Sequence, residues 1–168
     1  MVSVLGSPDD EGFLKLIGKK CDAFVAVENN KIRERLTEML KEDRHIMPVN
    51  AVHAKAYISP SATLGHGNLI AAGASVGAGS TLGSHCIVSA NATIDFEVSI
   101  EDFVHIGAGA VIAAGAVIEE GSFIGAGVTI ISGVKIGKNA RVGAGSVVMQ
   151  DVKAKQTVFG VPAAEVKN

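Results

Sequence analysis

From Ala51 the chain is paced by one aliphatic side chain in every six residues. The blocks AVHAKA, YISPSA, TLGHGN and LIAAGA follow one another without insertion as far as VVMQDV, seventeen blocks ending at Val152. The second position is always Val, Ile or Leu, from Val52 and Ile58 through Ile106 and Ile118 to Val142 and Val148. The sixth position is small or Val except at Asn68. A period of six fits neither a helix, with 3.6 residues per turn, nor a simple alternating strand. It is the pattern of a hexapeptide β-solenoid, in which each block supplies a short strand and a corner and three blocks close one triangular coil. Seventeen blocks predict between five and six coils, a prism roughly 27 Å long at about 4.8 Å per stacked strand. The aliphatics fill its interior, and Gly or Asn at the corners permits the left-handed backbone that a sharp turn needs.

Residues 1–50 break the pattern. VSVLG and CDAFVAVE read as buried strands, and SPDDEGFLKLIG as a short helix opened by a capping Ser and a Pro. NNKIRERLTEMLKED reads as a helix with Ile32, Leu36, Met39 and Leu40 on one side. The expectation is a small α/β segment over 1–50 whose apolar faces dock on the first coils or on another chain. The solenoid then covers 51–152, and a non-periodic tail, KAKQTVFGVPAAEVKN, covers 153–168. The fold class is therefore an all-β solenoid with a short N-terminal α/β segment.

Composition adds exclusions. A net charge of −2 points to neither nucleic acid nor an anionic membrane surface as a partner. Aromatics are scarce and Gly is abundant, with 20 residues, which suits narrow regular layers. Cys21 and Cys86 form no disulfide framework and read as reduced thiols of a cytoplasmic protein. No signal peptide is visible at the start, and the apolar run 104–118 is too short and too glycine-broken to span a membrane. Ala56 to Ile94 contains no Asp, Glu, Lys or Arg, which predicts a face buried against other subunits.

AVHAKAYISPSATLG, DFVHIGAGA, GSFIGAGVTI, GVKIGKNARVGAGSVV and VFGVPA, together with CDAFVAVENNKIRERL, resemble the hexapeptide-repeat acyltransferases. Within these the chain is most similar to the sialic acid O-acetyltransferase and nucleotide-amino-sugar N-acetyltransferase family. The resemblance implies a left-handed parallel β-helix and a homotrimer. It also implies acetyl-CoA as co-substrate in the groove between prisms, and an amino or hydroxyl group of a sugar or nucleotide sugar as acceptor. It identifies 1–50 as a truncated form of the family's nucleotide-sugar-binding domain, since no glycine- and histidine-bearing loop precedes VSVLG.

In the family a histidine takes a proton from the acceptor, with a carboxylate beside it and a second histidine nine residues on. The matching run here is Phe96, Glu97 and then His105. Phe96 cannot accept a proton, so the resemblance leaves His105 as the candidate base and Glu97 as the candidate carboxylate. Ser89 stands where relatives often carry Asn. The alternative is a trimeric member that lost its chemistry with the histidine. For coenzyme binding the resemblance marks Gly125, Ala126, Gly143 and Ala144 along the pantetheine arm, and Gly160 and Pro162 in the closing tail. Lys135 and Arg141 are cations of the late coils that could meet the coenzyme's phosphates. No metal is expected: His53, His66 and His85 lack the paired spacing that the zinc-binding γ-type carbonic anhydrases need.

Overall fold

The computed structural model describes residues 15–18 and 20–166. Each of the seventeen hexads forms a two-residue strand at its first two positions, from Ala51–Val52 to Val147–Val148. Every strand pairs in parallel with the strand three blocks away, so that His105 lies between Ile87 and Phe123. Three sheets follow, the faces of a left-handed parallel β-helix. The first face carries the strands that begin at Ala51, Leu69, Ile87, His105, Phe123 and Arg141. The second carries those at Tyr57, Ser75, Thr93, Val111, Thr129 and Val147, and the third those at Thr63, Thr81, Ser99, Val117 and Lys135.

The second-position aliphatics make the core: Ile70, Ile106, Ile112, Ile118, Ile124, Ile130 and Ile136 are fully shielded from water. Burial of about 2 kcal/mol per such side chain, repeated coil after coil, is what holds strands of only two residues. The first coil departs from the expectation. Val52 is 45% exposed and Ile58 and Leu64 are half-buried, because no coil stacks beneath them. Asn68, the odd sixth-position residue, is buried but satisfied: its amide donates to the Gly83 carbonyl and its Oδ1 accepts from the Cys86 amide.

The two glycines of each GAG run do different work. The first sits where the next coil passes: a Cβ at Gly125 would stand 2.6 Å from the Ala144 nitrogen. The second supplies a left-handed turn, as at Gly127 with φ of 65°. That left-handed position recurs at the fifth residue of consecutive blocks, and four in a row are not glycine: His85, Asn91, Glu97 and Phe103, with φ of 59°, 57°, 56° and 57°.

Beyond Val148 the coil shortens by two residues. Val152 bridges to Ile136, and Thr157–Gly160 pairs with Arg141–Val142 to extend the first face. Ala163–Glu165 folds back antiparallel on Thr157–Gly160.

The N-terminal part differs from expectation. The expected strand at 2–6 and most of the first expected helix, 7–14, lie outside the described residues. Residues 15–18 form turns with a bridge from Ile17 to Cys21, and Ala23–Glu28, expected as part of a buried strand, enters no ladder. It is a strap over the first face, tied at one end by the Val49 amide, which donates to the Ala23 carbonyl. The helix is present at Asn30–Arg44, with Asn29 as its N-cap accepting from the Ile32 amide. Its buried face is only in part the apolar one expected, with Leu40 buried and Leu36 and Met39 half-buried. Ile32 is 52% exposed, while Arg33, Thr37 and Leu40 are buried. It docks on the middle coils, not the first, where Asn30 Nδ2 donates to the Gly121 carbonyl.

Candidate active site

Arg33 explains the docking. It is 1% exposed and all five guanidinium donors are engaged. Nε donates to the His85 carbonyl at 2.8 Å and Nη2 to that of Phe103 at 3.3 Å. Nη1 donates to the carbonyls of Val27 and Glu28 at 3.0 and 2.8 Å, and Nη2 also reaches Asn30 Oδ1. One side chain thus joins the helix and the strap to the strained corner of His85 and Phe103, whose rings stack at 4.9 Å. Sequence reading missed Arg33 because a polar residue on a buried face carries no hydrophobic signal.

The strap covers the outward row of the first face, and between them lies a cleft of about 430 Å³. Strap residues Phe24 to Glu28 form one wall, and Leu69, Ile87, Ser89 and His105 part of the other. His105 points out of the prism, as its place in the block requires. It is only 5% exposed, lying beneath the strap. Its Nε2 is 3.4 Å from Ser89 Oγ, and its buried Nδ1 has no partner. Burial pushes its pKa below the ordinary 6.5, with Arg33 adding to the effect and the Glu28 carboxylate opposing it. The imidazole is therefore neutral at pH 7 and able to take a proton. Above it Phe123 presents an edge contact at 4.9 Å, and the Arg141 guanidinium lies 4.7 Å over the Phe123 ring.

Glu97 and Phe96 are elsewhere. They form the corner between the second and third faces, opposite the first face in the triangular section, and both are exposed. Within one chain Glu97 is not brought to His105.

The marked coenzyme positions do come together. Gly125, Ala126, Gly143 and Ala144 stack on the corner that follows the first face, with Gly107 and Ala108 below them. Ala126 and Ala144 are exposed and their amides have no acceptor among the described residues. Beside them Gly127 and Gly145 face open space where a Cβ would stand. The track is bare of side chains and edged with free N–H groups, which fits a thin amide-bearing chain. Gly160 joins its upper end by donating to Ser146 Oγ at 3.1 Å, and Ser146 donates to the Gly143 carbonyl at 2.7 Å. Pro162, after a cis bond, lies in the turn of the same hairpin. Lys135 is not brought there. It stands on the third face and pairs with Glu119 at 2.6 Å. Arg141 stays on the first face, over Phe123. Among the described residues no set of three His, Cys, Asp or Glu could hold a metal ion.

The bacterial transferase hexapeptide (six repeats) family matches residues 97–132 and 115–150. Among solved structures, the acetyltransferase domain of PglB from Neisseria gonorrhoeae, in complex with acetyl coenzyme A, is 34% identical. The match covers 98% of this chain and 81% of that one, with a TM-score of 0.89. A mutant of GDP-perosamine N-acetyl transferase from Caulobacter crescentus, in complex with CoA and GDP-perosamine, is 34% identical over 86% of this chain and 69% of its own, with a TM-score of 0.83. WeeI from Acinetobacter baumannii, at 24% identity and a TM-score of 0.71, shares the fold. No curated protein sequence matches.

Proposed function

The chain belongs to the hexapeptide-repeat acyltransferases, in the family of the sugar O- and N-acetyltransferases, and from that premise we propose that it transfers acetyl from acetyl-CoA to an amino or hydroxyl group of a nucleotide-linked sugar. The observation that carries the reading is the bare track at Ala126 and Ala144 on the corner that follows the first face, the face whose outward row holds the buried, neutral His105. Acetyl-CoA supplies the activated thioester. The Ala126 and Ala144 amides hold its arm, and the Gly160–Pro162 hairpin closes the upper end. The His105 imidazole takes the acceptor's proton as its nitrogen or oxygen attacks the carbonyl carbon. The same proton then serves the departing thiolate. No residue of the chain is acylated.

We further place the protein as a cytoplasmic homotrimer. Tyr57, Phe96, Val111, Ile131 and Met149 leave 61%, 51%, 38%, 37% and 55% of their surface exposed along the second face and its corner. That apolar strip adjoins the uncharged stretch 56–94 and supports subunit packing there. In such a trimer Glu97 of one chain is available to another. Both described cysteines are free, which fits a reducing compartment. No helix among the described residues is long and apolar enough to cross a membrane.

Phe96 favours one rival reading, a trimer that binds coenzyme without turning it over. Thiol release from acetyl-CoA with a panel of nucleotide amino sugars separates the two. Release that depends on the sugar and disappears in His105→Ala supports the transferase. Release absent in the native chain but present in Phe96→His establishes the rival.

A further inference from the structure

The bare track and the cleft under the strap meet at Ser89. Ser89 stands one coil below Gly107, in the column that rises through Gly125 to Gly143. With His105 it also lines the cleft. The free amides of the track continue down to this point: the N–H groups of Ala108 and Ala90 have no acceptor among the described residues. The corner after the third face is different, since Asp102 Oδ1 accepts there from the Ser84 amide and Glu101 Oε2 from the Glu120 amide.

From Ser89 the cleft runs down the prism. Ile87 and Leu69, the outward row below His105, form its floor, and Phe24 and Val25 belong to its roof. Charge does not reach that lower half. The Arg33 donors are all engaged, and Glu28 is exposed at the upper end, where it also borders a second cleft. Among the described lining residues the one buried polar side-chain atom without a partner is His105 Nδ1, beside the mouth. A polar reacting group is therefore wanted at the mouth, and apolar surface below it. The methyl of an acetyl group, about the size of one water at about 30 Å³, would leave most of this space empty.

We propose that the cleft under the strap holds the acyl tail of the donor, so that the chain takes acyl-CoA with straight or branched groups longer than acetyl and binds them more tightly. Two coils, about 9.6 Å, separate His105 from Leu69, and an extended chain advances roughly 1.2 Å per bond, so a tail of about four to eight carbons fits. The bond exchange is unchanged. The acyl carbon leaves the coenzyme sulfur for the acceptor's nitrogen or oxygen, and the proton goes to the thiolate. The proposal rests on the reading of the track and His105 above and adds the class of acyl group.

The test is calorimetric titration of the full chain with CoA and with acetyl-, butyryl-, hexanoyl- and octanoyl-CoA. Full burial of one methylene is worth about fourfold in affinity, so hexanoyl-CoA is expected to bind about tenfold or more tighter than acetyl-CoA. Leu69→Phe on the floor and Val25→Phe on the roof each fill the lower half, and the hexanoyl-to-acetyl ratio is expected to fall toward one. Melting temperatures show which variants fold, and either one that does decides the outcome. Acetyl-CoA bound as tightly as hexanoyl-CoA overturns the proposal and leaves the acetyltransferase reading standing. A hexanoyl preference that survives the filling substitutions also overturns it, by placing the tail outside the cleft. Binding of no acyl-CoA sinks both readings.

Discussion

In the proposed reaction His105 is the base, and its setting fixes how it behaves. Buried beneath the strap, with its pKa held below the ordinary 6.5, it stays unprotonated through neutral pH. Transfer should therefore be flat above pH 7 and fall in acid, with an inflection below 6.5 in the pH profile of kcat/KM. His105→Ala should lower kcat by about a hundredfold or more, the usual contribution of a positioned base. Glu97 makes a separate prediction. Its φ of 56° is uncommon for a side chain that offers the turn nothing in return. Glu97→Gly should raise stability by about 1 kcal/mol, read as a higher melting midpoint. A fall would show that the carboxylate holds the corner. At this scale the sequence was partly legible. The outward-facing histidine and the glycine–alanine pairs that stack on one corner stood out. The left-handed corners at His85, Glu97 and Phe103 did not, because their residue types say nothing of positive φ.

Among the elements, the helix Asn30–Arg44 and the strap depend on Arg33. Its five hydrogen bonds reach oxygens for which the described residues offer no other donor, including the carbonyls of both strained corners. Arg33→Ala leaves those acceptors without a donor and should cost on the order of 3 kcal/mol of docking stability. Arg33→Lys should recover only part, since an ammonium has three donors. Amide hydrogen exchange gives the check: protection should fall in 30–44 while the solenoid core keeps its own. Simultaneous loss in both would mean that the helix is integral to the coils. The helix itself was legible from capping and periodicity. Its orientation was not, since the face it buries is led by an arginine and a threonine while Ile32 faces water.

Across the whole molecule, one period of six decided the architecture, and every hexad became a strand where the aliphatic pattern placed it. The relation between faces needed three dimensions. Glu97 and His105 are close in sequence yet stand on opposite sides of the prism, whereas His105, Phe123 and Arg141 form one row. A shared consequence is acid sensitivity. Burial depresses the pKa of both His85 and His105, so below 6.5 the unfolded chain takes up more protons than the folded one. Their contribution is complete above the ordinary value and is lost as pH falls through it toward the lower folded values. The melting midpoint should therefore drop from pH 7.5 to pH 5.5, and His85→Gln should shallow that slope. The central claim is that the prism presents acetyl-CoA to His105 along the corner at Ala126 and Ala144. Calorimetric titration with acetyl-CoA tests it most directly, comparing the native chain with Ala126→Glu, a change at an exposed position that fills the track. The account predicts binding near one site per chain in the first and none in the second. No heat from the native chain at millimolar acetyl-CoA, or equal binding by both, would contradict it.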